Sequence, residues 1–173
     1  MEVKPEIIAE SVKKDILSLG EELLSEVEAV GLLGSLVWGK FHPKHSDIDV
    51  FVILPDVEDS PEDTWELEER WRKRITNLLL VKYQRDVDVL FFNLIHIRKV
   101  CDWYMLSLAS DGVLIYDKGK VKRLFQRVVE EAEKAGLERI IFNSEPIWQI
   151  KPPVKFGTIV RVELPDEEED EQC

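Results

Sequence analysis

An α/β (α+β) fold is predicted by two features of this 173-residue sequence, the alternation of helical and strand-like patterns and the turn residues that separate them. Apolar residues recur every three or four positions over residues 5–28, as on the buried face of a helix. Shorter apolar stretches at 30–33 and 48–54 end at a glycine or a proline, as strands do. The apolar fraction of 45% is enough for a core, and the length favours one domain.

The predicted helices and strands follow one another closely along the chain. In order they are a helix over 5–28 that Gly20 bends or divides, a strand over 30–33, a short helix over 35–40, a strand over 48–54, a helix from Pro61, a strand over 87–92, a helix over 97–109, a strand over 113–116 and a helix over 120–135. Ser60 and Pro61 supply a cap and a first-position proline, and Gly136 ends the last helix. Residues 158–164 give a final strand pattern.

Charge and composition narrow the classes of function. The net charge is −12, and six of these charges lie in the run 166–171. An acidic body lacks the basic stripe of a protein that tracks nucleic acid, so a template-directed polymerase is disfavoured. The first residues are charged and no apolar stretch approaches membrane-spanning length, which predicts a soluble cytoplasmic protein without a membrane partner. Few Asn, Gln, Cys and Met beside many Glu, Lys and Arg favour a thermophilic source.

The most informative motif is Gly34-Ser35, followed by Asp47-Ile48-Asp49 at the start of an apolar strand. Successive side chains of a strand point to opposite faces, so the two aspartates project the same way. Adjacent carboxylates raise each other's pKa unless a cation lies between them, and Mg²⁺ takes oxygen ligands of this kind. Gly34 lets the backbone approach a phosphate, and Ser35 offers a hydroxyl at a helix start. Together these features indicate a nucleoside triphosphate site.

A third carboxylate is expected on the strand over 87–92. Asp86 and Asp88 share one face of it, so both are candidates. Asp88 lies between two valines, where an unpaired carboxylate would be costly, and it has the better functional case. Asp86 lies at the strand edge, where it would pair with a base or face water. His42 and His45 are expected in a surface loop, with a nucleotide or acceptor contact as the alternative.

These residues resemble the motif of the polymerase-beta-type nucleotidyltransferase superfamily, and within it the minimal nucleotidyltransferases that include antitoxin-like members. The motif reads G-S-x(11)-D-I-D, and the matching region covers about residues 28–92. Residues 111–116 also resemble a segment that those proteins often carry after the third carboxylate. The resemblance implies a mixed β-sheet with helices packed mainly on one side and three acids on adjacent strands.

The resemblance further implies the roles of the acids. Asp47 and Asp49 would bind the Mg²⁺ (or Mn²⁺) ions that hold the triphosphate. Asp88 would ligate the second ion and help to deprotonate the acceptor hydroxyl. In-line attack at the α-phosphorus requires charge neutralisation on the entering and leaving oxygens, and two metal ions supply it.

The residues that the resemblance suggests for nucleotide binding are Gly34, Ser35, Gly39, Lys40 and Ser46. The first two would hold the β- and γ-phosphates. Members of the family often carry a small residue and an arginine before the second glycine, where this chain has Val37-Trp38-Gly39. Lys40 could replace that positive charge, although its side chain would point elsewhere.

The implied reaction is the transfer of a nucleoside monophosphate, foremost AMP from ATP, onto an acceptor hydroxyl. By analogy with antitoxin-like members, the acceptor would be a separate HEPN-type ribonuclease toxin. A small-molecule acceptor stays open, and so does a homo-oligomeric state. The alternative is a catalytically inactive module of the same fold that binds a nucleotide or a partner.

The expected organisation is one domain with a short appendage. Residues 1–117 would form the catalytic core, and 118–165 a helix-and-strand extension of the same domain. The acidic tail over 166–173 is expected to be disordered, because its composition is almost entirely charged.

Overall fold

The computed structural model describes residues 4–42, 45–56, 61–100 and 102–165, and its centre is a four-stranded β-sheet. The strands are, in chain order, β1 (Ala29–Leu33), β2 (Ile48–Leu54), β3 (Val87–Asn93) and β4 (Val113–Asp117). In space they follow the order β3-β2-β1-β4. β1 runs antiparallel to both β2 and β4, whereas β2 and β3 are parallel. The α/β fold with a mixed sheet is therefore confirmed.

Helices accompany the sheet throughout the described ranges. They are α1 (Pro5–Leu17), α2 (Glu21–Leu24), α3 (Pro61–Tyr83), α4 (Leu94–Lys99), α5 (Trp103–Asp111) and α6 (Val121–Lys134). α3 is the crossover that joins β2 to β3, because parallel strands cannot be connected by a tight turn. It begins at Pro61 as predicted, while its predicted cap, Ser60, lies outside the described residues. Gly20, with a left-handed φ of 89°, separates α1 from α2, which confirms the predicted division.

Helices cover both faces of the sheet rather than mainly one, and this corrects the predicted packing. Val30, Val50 and Val52 lie in a buried cluster with residues of α1, α2 and α3. Phe51 and Ile53 point the other way, into a second cluster with residues of α4, α5 and α6. The reason is visible in the sequence, because β1 and β2 are apolar at nearly every position. Strands buried on both faces need a cover on each.

The helix predicted over 97–109 is wrong in extent, because the chain forms α4 and α5 there. Val100 ends α4 in a left-handed conformation with φ of 43°. Asp102 then caps α5, and its Oδ1 accepts a hydrogen bond of 3.0 Å from the Met105 backbone N–H. An aspartate inside an apolar helical pattern competes for backbone N–H groups, so it starts a new helix instead of continuing the old one.

C-terminal to α6, the chain forms a β-hairpin that the sequence analysis did not predict. β5 (Leu137–Phe142) pairs antiparallel with β6 (Glu145–Ile150), and Asn143 and Ser144 form the turn with φ of 49° and 63°. Hairpin turns of this kind need positive φ at both central residues, which asparagine tolerates well. Gly136, with φ of 93°, follows the end of α6 as predicted.

The strand predicted over 158–164 is wrong, since these residues form no regular structure. Val160, Val162 and Leu164 are partly buried and pack against the cluster around α6. Apolar residues at alternate positions thus attach this segment to the core without a partner strand. The tail over 166–173 lies outside the described residues. Within the described ranges, no helix is both long and apolar enough to cross a membrane.

Candidate active site

Asp49 and Asp88 lie side by side at the start of the parallel strands β2 and β3. The two residues are direct register partners, and neighbouring strands lie ~4.8 Å apart. Asp47, one residue before β2, is exposed like Asp88, whereas Asp49 is partly buried. Asp49 shares its face of β2 with Phe51, so it faces the side of the sheet that α4, α5 and α6 cover. The three acids predicted from the sequence therefore meet at one end of the sheet.

The three carboxylates gather negative charge at this end of the sheet. Burial raises the pKa of Asp49 from 3.8 to about 6, and the charges of Asp88 and Asp47 add to the effect. Among the residues that the structure describes, no basic side chain forms an ion pair with any of the three. Carboxylates arranged in this way favour a bound cation, because a positive charge between them removes their mutual repulsion.

Gly34 places the turn after β1 directly against Asp49. Leu33, the last residue of β1, is the register partner of Asp49, and Gly34 begins a 3₁₀ turn over Gly34–Leu36. The backbone of Gly34 has a left-handed φ of 73°, and a Cβ at this position would overlap Asp49 Oδ2. A glycine is thus required twice, by its backbone conformation and by the carboxylate against it. Ser35 follows in the same turn, which is shorter than the helix predicted over 35–40.

The other predicted nucleotide-binding residues lie in the loop between this turn and β2. Ser46 Oγ accepts a hydrogen bond of 2.9 Å from the His42 backbone N–H, so it closes the loop. Gly39 has φ of 71° with open space around it. Lys40 Nζ lies 3.6 Å from Glu145 Oε1 at the hairpin tip. That ion pair directs the Lys40 ammonium to the β5–β6 hairpin, so it is not paired with the three acids.

Asp86 and the loop histidines have structural contacts of their own. The Asp86 carbonyl oxygen accepts a hydrogen bond of 2.9 Å from the Ile48 backbone N–H, and its side chain is exposed. The rings of His42 and His45 stack on each other with centroids 4.9 Å apart. Both histidines are exposed, as expected for a surface loop.

Tyr104 lies near this site as well, although it was not predicted from the sequence. It lies in the first turn of α5, and its ring stacks on that of Phe92 in β3 with centroids 5.9 Å apart. Burial raises the pKa of the Tyr104 hydroxyl, and the charges of Asp49 and Asp88 raise it further. The hydroxyl therefore lies within electrostatic reach of the acids. No motif spacing reveals it, because the contact depends on where α5 begins.

The donor set fits a divalent metal that arrives with a phosphate ligand. In the described part of the chain, no group of three or more His, Cys, Asp or Glu side chains is assembled closely enough to hold a metal alone. Mg²⁺ is usually held by one or two carboxylates together with substrate phosphates rather than by an all-protein cage. The oxygen donors of Asp47, Asp49 and Asp88 match that mode of binding.

The family assignment rests on a profile comparison that covers this same region. The profile of the nucleotidyltransferase domain matches residues 10–107, which is more than half of the chain. The chain belongs to the nucleotidyltransferase domain family. The match includes Gly34 and all three acids, so the resemblance found in the sequence is confirmed, and the chain is a nucleotidyltransferase by family. No match was found among curated proteins.

Several solved structures are similar to this nucleotidyltransferase. A toxin–antitoxin with AMP-PNP is 19% identical, over 70% of this chain and 86% of its own, with a TM-score of 0.43. A toxin–antitoxin MntA–HepT is 16% identical, over 72% of this chain and 86% of its own, with a TM-score of 0.40. A nucleotidyltransferase candidate from Sulfolobus solfataricus is 20% identical, over 69% of this chain and 93% of its own, with a TM-score of 0.42.

Proposed function

We propose that this nucleotidyltransferase uses Mg²⁺ or Mn²⁺ to transfer a nucleoside monophosphate, AMP from ATP in the first instance, onto an acceptor hydroxyl. The observation that carries the proposal is the placement of Asp49 beside Asp88, with the Gly34 turn against Asp49. β2 and β3 position the acids, and the end of β1 positions the turn. A triphosphate lying on the turn would bring its metal ions to the acids.

In the proposed reaction, the acceptor oxygen bonds to the α-phosphorus while the bond from that phosphorus to the bridging oxygen breaks and pyrophosphate leaves. Bound metal ions would supply charge neutralisation on the entering and leaving oxygens. Asp47 and Asp49 would hold the metal that carries the triphosphate. Asp88 is exposed beside Asp49, and it would ligate the second metal ion and take up the hydroxyl proton. Gly34 and Ser35 would hold the β- and γ-phosphates through backbone N–H groups and the serine hydroxyl.

For the acceptor we propose a partner protein, a HEPN-type toxin, on the resemblance of the sequence motif to the antitoxin-like branch. A small-molecule acceptor is the competing possibility within the same reaction class. An inactive module that binds ATP with metal but never turns it over is the alternative of a different class. The intact set of acids favours the enzyme, because carboxylates gathered without a metal ion destabilise the fold and would tend to be lost. Asp88 is exposed rather than enclosed by its valine neighbours, so its case over Asp86 rests on its register with Asp49.

The test is incubation with ATP radiolabelled at the α-phosphate, and then with each other nucleotide, in the presence of Mg²⁺ or Mn²⁺ and lysate of the source organism. The Asp47→Ala/Asp49→Ala double variant is the comparison. Label that moves to a protein or a small molecule only with the intact acids supports the proposal and identifies the acceptor. Absence of transfer, together with equal nucleotide binding by both proteins, contradicts it.

A further inference from the structure

An exposed aromatic stack lies on the same face of the sheet as the acids. It consists of Phe92 on β3 and Tyr104 on α5, whose rings are nearly parallel with an interplanar angle of 29°. Tyr104 is 44% exposed, in contrast to a core ring such as Trp71, which is 0% exposed. Phe92 is partly buried against the cluster around α6 and supports the tyrosine ring from one side. The stack is thus anchored in the core and open to solvent at its outer member.

The stack lies at a defined distance from the acids along β3. Asp88 and Phe92 are four residues apart and therefore on the same face, with ~13 Å between their Cα atoms. Tyr104 connects the two regions, because its ring lies 5.9 Å from that of Phe92 and the charges of Asp49 and Asp88 act on its hydroxyl. A molecule held at the acids through phosphate would extend along this interval toward the ring.

The chemistry of the ring indicates what it would bind. Asp49, Asp88 and the nearby Asp102 make the surroundings of Tyr104 negative, so a second anionic group is disfavoured there. A neutral planar group is compatible, because the π-face of every nucleobase stacks on an aromatic side chain regardless of its hydrogen-bonding edge. Tyrosine also loses little conformational entropy in such a contact, and its ring is already held by Phe92.

We propose that Tyr104, supported by Phe92, is the platform on which the base of the bound nucleoside triphosphate stacks. This inference rests on the proposed function, since the acids and the Gly34 turn must hold the triphosphate end. The stacking contact itself tolerates different bases, because every base has a π-face. Tyr104 is therefore a binding residue that fixes the position of the nucleotide, while the acids perform the chemistry.

The experiment compares ATP with a ligand that has three linked phosphates but neither base nor ribose. Binding of ATP and of inorganic tripolyphosphate, each with Mg²⁺, is measured by calorimetry on the full chain. The variants are Tyr104→Ala, Tyr104→Phe and Asp49→Asn. Trp65→Ala is the matched control. Trp65 is an exposed aromatic residue like Tyr104, but it belongs to α3, which packs on the opposite face of the sheet.

The platform predicts that Tyr104→Ala weakens ATP binding by roughly 5- to 150-fold, the range for loss of one base–aromatic stack. The same variant should bind tripolyphosphate like the wild type, and Tyr104→Phe and Trp65→Ala should keep ATP affinity. ATP binding that is unchanged in Tyr104→Ala overturns the inference, and so does an equal loss for ATP and tripolyphosphate. If tripolyphosphate binding still depends on Asp49 in those cases, the proposed function survives. If the wild type binds neither ligand with Mg²⁺, both proposals fail.

Discussion

Replacing Asp49 with asparagine should stabilise the metal-free protein, although it should abolish any metal-dependent activity. The change keeps the size of the side chain and removes the most buried of three neighbouring negative charges. Burial and the charges of Asp88 and Asp47 raise the pKa of Asp49 from 3.8 to about 6. A carboxylate that is ionised at neutral pH in such a place therefore destabilises the folded state.

The magnitude follows from the difference in pKa between the folded and unfolded chain. Each unit of pKa difference corresponds to ~1.4 kcal/mol, so the ionised Asp49 costs the folded state at most ~3 kcal/mol. Solvent reaches the partly buried side chain and screens the repulsion, so we expect Asp49→Asn to raise the free energy of unfolding by ~1–2 kcal/mol above about pH 7.

The sign of the pH dependence is fixed by the direction of this shift. Between about pH 4 and pH 6 the folded chain retains a proton that the unfolded chain has lost, so wild-type stability falls as the pH rises. The gain in Asp49→Asn should therefore be absent near pH 4 and complete above about pH 7.

The assay is urea denaturation in EDTA over this pH range. Asp86→Asn is the matched control, because it removes an exposed carboxylate that does not act on Asp49. Equal stability of Asp49→Asn and the wild type at every pH would show that ionised Asp49 does not destabilise the fold, and an equal gain in Asp86→Asn would show that the effect is not specific to Asp49.

Three further predictions concern the metal site, the Gly34 turn and the ion pair between Arg139 and Asp111. Mg²⁺ added together with ATP should raise the melting temperature of the wild type more than that of Asp49→Asn, and the effect should weaken below about pH 6 as Asp49 becomes protonated. Scanning fluorimetry measures both, and equal stabilisation of the two proteins would count against a metal at this acid. Gly34→Ala should lower the free energy of unfolding by ~2–4 kcal/mol, because the added Cβ meets Asp49 and the backbone is left-handed, whereas Gly39→Ala meets open space and should cost only ~1 kcal/mol. Similar costs for the two glycines in urea denaturation would show that Asp49 does not lie against the turn. Arg139→Ala should destabilise the fold by ~2–3 kcal/mol, since it leaves the buried carboxylate of Asp111 without its ion-pair partner, and a double Arg139→Ala/Asp111→Asn variant should recover part of that loss.

Local patterns predicted much of the N-terminal half of the fold. The strand over 48–54 and the helix start at Pro61 are as predicted, since each is bounded by proline and has a distinct apolar period. The neighbourhood of Asp49 and Asp88 also follows from the motif, because both residues open strands that become a parallel pair.

What the sequence could not supply depends on tertiary contacts. The unbroken apolar runs of β1 and β2 are the sequence signal for a sheet that is covered on both faces. Which helices cover each face, however, depends on the tertiary fold. The break between α4 and α5 depends on one capping aspartate, Asp102, that the helical period conceals. Tyr104 reaches the acids only because that break fixes the start of α5, so it could not be found by spacing. The hairpin after Gly136 was missed although its Asn143-Ser144 turn was a readable signal.

The proposal that Asp49 and Asp88 form the active site is tested most directly by measuring AMP transfer from labelled ATP in the presence of Mg²⁺. Asp88→Asn and Asp86→Asn are compared with the wild type. Both variants remove one exposed carboxylate at the same end of β3, and only Asp88 lies in register with Asp49. We expect Asp88→Asn to abolish transfer and Asp86→Asn to retain wild-type transfer. Loss of transfer in Asp86→Asn with retention in Asp88→Asn, or equal transfer in all three proteins, would contradict it.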